Sequence, residues 1–447
     1  MGKRLLLFIF ALTSLVFYFM APTSYELSYT IECTIVFVLS SVVLISNNCK
    51  KSAIKFELFF LIAFFFSNYV YSIIYYPVNP YISHFSLSFN ENYISKGLGL
   101  STVAACCFNF GICERDPLSL SKELIRPDRY KSPKAVTLIL MLLFLPSLYG
   151  IFRTGEYSTE FEHSLVNAIL VYFLYFSIFY VFFYAKNYST LSSLWKKQRT
   201  DYFTYILLLY VILFLLIGSR TIPLRVALLM IFLYTVYIKP IGSLKVIAIF
   251  ILGALVMTYV GMVREGGEFS TSSLTSVFDL GMDLTINNRS LYVLMEYADT
   301  NGYTYGRTLL MSILSVIPFA QSIFLSVTGW RTSQISSANL VTDLYYDYSN
   351  EKSIGLGTNV VGDIYVSFGL IGVILMMYLL GRILLILYKK SAQGNNFAIL
   401  MYGLIFMDAI YYPRSTIFTS LRPLAWVFVI YMIFRVRKTS SVKKQES

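Results

Sequence analysis

Apolar residues fill this chain in long unbroken runs, and polar ones are confined to the gaps. The runs cover 5–21, 29–46, 57–75, 94–113, 135–152, 164–185, 202–217, 223–238, 246–263, 364–387, 397–412 and 421–434. Each is close to the length of about 18 residues or more that an α-helix needs to cross a hydrocarbon core. Runs such as Leu58 to Tyr75 do not alternate apolar with polar, as barrel strands would. Inside lipid the backbone must satisfy itself, which leaves helices. The pattern therefore predicts an all-α, polytopic integral membrane protein with about 12 transmembrane helices. It divides the chain into nine helices over 1–263, one large outer loop over 264–363, three helices over 364–434 and a basic tail over 435–447.

Composition agrees, with 57% hydrophobic and 13% charged residues, against about 25% charged in a typical soluble domain. With the N-terminus in the cytoplasm, the inner segments hold 24 of the 36 Lys and Arg and the outer loops hold 8. The positive-inside rule favours this orientation, with both termini cytoplasmic. It also accounts for most of the +12 net charge, so basicity is no sign of nucleic-acid binding. Lys3 and Arg4 precede the first run, but no A-x-A site follows Ala21-Pro22, so this run is expected to be a retained span rather than a signal peptide. The five cysteines all lie in the first quarter, away from the large loop, and read as small packing residues. One apolar segment inside the loop, Thr308 to Leu325, could form a further span. Crossing there would put seven cytoplasmic Lys and Arg outside, and Pro318 and Gln321 suit a central span poorly. An interfacial or re-entrant helix is expected instead.

The outer charges differ in kind from the inner ones. Inner segments mix lysine and arginine, whereas seven of the eight outer ones are Arg. A guanidinium presents a planar fork of donors that grips phosphate at two points, so the skew points to an outward-facing anion site. Snorkelling to the interface, or pairing with loop carboxylates, is the plainer explanation for any single arginine. Arg220 lies in the tight turn Gly218-Ser219-Arg220-Thr221. Arg225 follows within the next apolar run, where it needs a partner or a wet cavity. Arg264 closes the ninth run ahead of Gly266-Gly267, Arg289 precedes a helical pattern, and Arg414 sits in the last outer turn.

These short motifs, in this order, resemble the O-antigen polymerases, the Wzy-type oligosaccharide repeat-unit polymerases of bacterial inner membranes. The likeness runs through Gly218-Ser219-Arg220, Arg264-Glu265-Gly266-Gly267, Arg289, Gly302 to Thr308 with its Arg307, and the glycine-rich stretch Gly355 to Gly372. It implies a GT-C-like glycosyltransferase that moves a growing glycan from undecaprenyl diphosphate to a new lipid-linked repeat unit at the periplasmic face. The implied partners are that oligosaccharide carrier, membrane lipids and a polysaccharide chain-length regulator. No metal, cofactor or nucleotide sugar is implied, and the loop holds no His/Cys cluster, Walker motif or DxD. O-antigen ligases, a neighbouring class, use a loop histidine, whereas His84 and His163 here lie in other outer loops. A lipid-linked oligosaccharide flippase is the rival of another class, disfavoured by the long outer loop and the lack of a half-to-half repeat.

On this reading Arg220, Arg264 and Arg289 clamp the departing diphosphate, with Arg225, Arg307 and Arg414 as further anion contacts. Asp363, where the loop rejoins the membrane, is the first candidate for the base, and capping of span ten is its alternative role. Tyr345 and Tyr346, in a Tyr345-Tyr346-Asp347-Tyr348 cluster, are candidates to stack on sugar, against the default of an interfacial aromatic belt.

Overall fold

The structure is a computed structural model and describes residues 2–49, 52, 54–78, 89–114, 130–154, 165–184, 202–216, 221–239, 241–242, 285, 287–345 and 355–436. Helices occupy eleven of the twelve expected runs, and the twelfth, 246–263, lies outside the described residues. They are α1 (Gly2–Phe19), α2 (Leu27–Asn48), α3 (Phe56–Val78), α4 (Tyr93–Ile112), α5 (Lys134–Thr154), α6 (Leu165–Tyr184), α7 (Tyr202–Leu216) and α8 (Thr221–Tyr237). Further along the chain come α9 (Asn287–Asn301), four short helices α10 (Leu310–Leu314), α11 (Ala320–Thr328), α12 (Thr332–Ile335) and α13 (Ser337–Tyr345), then α14 (Val360–Ala392), α15 (Asn396–Phe406) and α16 (Leu421–Phe434). No strand forms among the described residues; Tyr130 and Arg435 make one isolated bridge.

Among the described residues, five helices are long and apolar enough to cross a bilayer: α1, α2, α3, α6 and α14. Their outward faces carry large apolar side chains, with Leu5 61%, Phe19 74% and Ile371 70% exposed. Facing water, so much apolar surface would be an aggregation hazard; facing lipid tails it costs nothing.

The centre of the bundle is built on small residues. Helix α4 reads Gly97-Leu98-Gly99-Leu100-Ser101-Thr102 and is buried nearly throughout. Lipid gives helices little hydrophobic reason to associate, so close backbone packing through small side chains takes over. A Cβ on Gly381 of α14 would come within 2.7 Å of the Phe108 carbonyl oxygen of α4, and one on Gly111 would strike Tyr378. The two helices thus cross almost backbone to backbone. Around this pair pack α1 and α2 on one side and α9 and α15 on the other.

Helix α14 is broken near its start. Gly369 has φ 64° and ψ −160°, a conformation open essentially to glycine alone. At the break the Val366 carbonyl accepts from the Thr304 backbone N–H at 2.8 Å and its hydroxyl at 3.2 Å. The break therefore ties the approach to the short helices onto α14. A Cβ at Gly369 would also lie 2.8 Å from the Tyr303 ring. Gly369→Ala is expected to lower stability by about 2–5 kcal/mol, from backbone strain plus overpacking. A thermal melt of the detergent-solubilised protein checks this, and an unchanged midpoint would refute it.

The apolar segment 308–325 does not form one helix. It divides into a 3-10 turn at Arg307–Leu309, α10 and the start of α11, with Phe319 left-handed (φ 62°) directly after Pro318. Neither piece is long enough to cross a bilayer. Ile317, Phe319 and Ile323 remain exposed.

Lys55, just ahead of α3, is buried, ion-paired to Glu114 at 2.6 Å and set 4.2 Å from the Tyr388 ring centroid. One expectation is corrected here. Asp363 does not cap α14: Asn359 does, accepting from Val361 N and Gly362 N, and Asp363 lies one turn inside.

Candidate functional site

Polar side chains converge at the end of the bundle where α8, α9 and α14 begin and α15 ends. Their seat is α3, whose Phe66–Tyr75 stretch is wound as a π-helix, a rare form often found at functional sites. Within it Asn68 is wholly buried and fully used. Its backbone carbonyl accepts from Asn288 Nδ2 at 2.7 Å, and its Oδ1 accepts from Asn359 Nδ2 at 2.9 Å and Ser101 Oγ at 3.2 Å. One asparagine thus joins α3, α4, α9 and α14, and buried amides so satisfied specify a single arrangement. A turn further along, Ser72 Oγ and Tyr292 OH share a hydrogen bond at 2.9 Å.

This seat positions Arg289. Its guanidinium is 2% exposed and stands 5.0 Å from the Tyr71 ring centroid and 5.8 Å from that of Phe89. Burying a cation is costly, and aromatic faces offset part of the cost, by about 2 kcal/mol where water is excluded. Beside it Asn287 links α9 to the turn between α15 and α16, the last of the expected outer turns. With its amide oriented to satisfy both neighbours, it donates to the Leu356 carbonyl at 3.1 Å and accepts from Arg414 Nε at 3.0 Å. Arg414, half-buried, is thereby held against the same end of α9 as Arg289.

That outer turn, residues 408–422, gathers the remaining charges. Asp408 is fully buried; it pairs with Arg225 Nε of α8 at 2.6 Å and accepts from Ser420 Oγ at 2.7 Å. The Arg225 guanidinium also lies 5.7 Å from the Tyr411 ring centroid. Arg422, at the start of α16, stands 5.9 Å from the Tyr172 ring centroid. Asp363 reaches the turn from below, accepting from the Ile417 backbone N–H at 3.0 Å and from Ser337 Oγ at 2.6 Å. Ile417 in turn accepts from Tyr412 OH at 2.6 Å. Both carboxylate oxygens of Asp363 are thus occupied and the side chain has no exposure. In this conformation it fastens α13 and the outer turn to α14, and a sugar hydroxyl could reach it only by displacing one of those donors.

The structure therefore brings Arg225, Arg414 and Asp363 to one turn, with Arg289 two residues along α9 from the Asn287 that accepts from Arg414. Arg307 stands apart and exposed, its Nε 3.4 Å from the Thr304 carbonyl. Tyr345 ends α13 and lines a cleft with Phe89, Glu296 and Tyr297. Arg220, Arg264 and Tyr346 lie outside the described residues. Among the described residues no group of three or more His, Cys, Asp or Glu could hold a metal ion. Sequence reasoning missed Asp408, although a lone acid within an apolar run is itself a signal that a partner exists. It also missed Asn68 and Asn359, which leave no mark in hydropathy.

With this geometry in view, comparison with known proteins gives one match. The family model described as O-antigen polysaccharide polymerase Wzy matches residues 4–445. No curated protein and no solved structure matches significantly.

Proposed function

Because the chain belongs to the O-antigen polysaccharide polymerase Wzy family, we propose that it transfers a growing glycan from undecaprenyl diphosphate to an incoming lipid-linked repeat unit. The reaction takes place at the periplasmic end of a GT-C-like bundle of about twelve helices in the bacterial inner membrane. The observation that carries this reading is the convergence of Arg225, Arg289 and Arg414 on the outer turn and the start of α9, each fixed by a carboxylate, an amide or aromatic faces.

Charge develops on the diphosphate as its bond to the anomeric carbon breaks. Guanidinium groups already oriented in a site of low dielectric stabilise that charge without having to reorganise. Arg220 and Arg264, assigned from the sequence, are the further clamp residues, and Arg307 makes an outer contact with the carrier. Arg289 is the most enclosed of the described members, so it meets phosphate only when Phe89 gives way. Asp363 keeps α13 and the outer turn in register beneath the clamp; it serves as the base only if Ser337 releases it. Tyr345 and Tyr346 offer ring faces to sugar, and a chain-length regulator acts on the assembled enzyme.

Deletion of the gene tests the reading. Gel analysis of lipopolysaccharide is expected to show loss of the ladder, with a single repeat unit still attached to the core. Core bearing no repeat at all would point to a flippase or a ligase instead.

A further inference from the structure

The clamp leaves the attacking hydroxyl without a partner, since Asp363 is enclosed. A cleft of about 430 Å³ opens beside the arginine site, within the size range of small-ligand pockets. One wall is a stripe of α9 that includes Glu296, Tyr297 and Thr300; the other includes Phe89, Asn90 and Tyr345. Arg289, Val293, Glu296 and Thr300 follow one another along the same side of α9, at helical spacing. Glu296 thus sits two turns from Arg289, about 10 Å along the axis. Phe89 is the shared partition: its ring packs 5.4 Å from that of Tyr292, near the Arg289 guanidinium on one side and facing the cleft on the other.

The lining points to a class of ligand. Among the described residues it contains one carboxylate and no basic side chain, which suits a phosphate poorly. Amide, hydroxyl and carboxylate groups suit the hydroxyls of a neutral sugar, and the rings of Tyr297, Tyr345 and Phe89 suit its C–H faces. Asn90 Nδ2 donates to Glu296 Oε1 at 3.1 Å. This fixes the carboxylate while Oε2 receives no hydrogen bond from the described residues. Glu296 is half-buried, reachable from the cleft.

We propose that this cleft holds the terminal sugar of the acceptor repeat unit and that Glu296 is the general base; the inference rests on the polymerase reading above. The acceptor hydroxyl gives its proton to Glu296 Oε2. Its oxygen forms the new bond to the anomeric carbon of the donor glycan. The bond from that carbon to the lipid diphosphate breaks, and its electron pair leaves on the diphosphate oxygen beside the arginines. Attack from the face opposite the leaving group inverts the anomeric centre.

The test uses the full chain in nanodiscs with the lipid-linked repeat unit as substrate. Glu296→Gln keeps the shape of the side chain, and the rate is expected to fall on the order of 10²–10⁴-fold. The melting midpoint should be unchanged, and the acid limb of the pH–rate profile should disappear. Glu296→Asp withdraws the carboxylate by one methylene and should retain an intermediate rate with that limb present. Active wild type alongside an equally active Glu296→Gln would overturn the inference alone. Should Glu296→Gln melt early, a wild-type rate for Glu296→Asp with a profile lacking the limb would overturn it equally. Wild-type protein that binds the substrate but never extends it would overturn the polymerase reading and this inference together.

Discussion

Arg289→Lys is expected to lose most of the polymerisation rate although it keeps the charge and most of the volume. The guanidinium lies between Tyr71 and Phe89 at the head of α9. Its planar fork can stack on a ring and present two parallel donors to phosphate at the same time, whereas an ammonium is a strongly hydrated point charge that does neither. Arg289→Ala removes the group outright and should cost on the order of 10²–10³ in rate if the clamp acts in the transition state. Since Arg289 is 2% exposed, the alanine variant also leaves a cavity. The lysine variant separates chemistry from folding. Both are to be measured in nanodiscs with a lipid-linked repeat unit, alongside melting midpoints. A lysine variant with wild-type rate and wild-type stability would remove Arg289 from the clamp.

Breaking the Arg225–Asp408 pair should produce the largest stability change. Asp408 is fully buried, and its partner lies 2.6 Å away with its side chain 25% exposed. Arg225→Met leaves a buried carboxylate without its counter-ion, which typically costs about 3–5 kcal/mol. Asp408→Leu leaves a cation at the head of α8 and should cost less, because Arg225 retains some exposure. Replacing both together takes away the uncompensated charge, so the double variant should recover much of the loss. Activity should not recover with it, because Arg225 is also proposed to contact the diphosphate. Thermal melts of the three variants give the coupling, and a double variant no more stable than Arg225→Met would show that the pair is not what holds α8 to the outer turn. A stable and fully active double variant would confine Arg225 to a structural role.

Helix positions were readable from hydropathy because lipid imposes a one-dimensional rule: a segment must be apolar for its whole length and bond its own backbone. That rule located α1, α2, α3, α6 and α14 to within a few residues. It also carried α4, whose small side chains let it be buried nearly throughout, a fact that hydropathy understates. The resemblance read from Gly218-Ser219-Arg220 through the glycine-rich stretch ending at Gly372 agrees with the family match over residues 4–445. The arginines of the expected outer loops stood out in the sequence because their type is unusual, but no local pattern said which of them meet.

Partners were another matter. Arg225 was legible as a charge in need of a counter-ion, but Asp408 lies 183 residues away in sequence, a separation that follows from the positions of the two residues. No local pattern links them; only the packing of α8 against α15 does. Asp363 looked like a cap or a base from its place near a helix start, until folding brought Ser337 and the Ile417 N–H to its two oxygens. Glu296 was one loop acid among ten until α9 set it against Asn90 in the cleft. Desolvation and hydrogen-bond occupancy put these acids in different surroundings, and both depend on which distant segments meet.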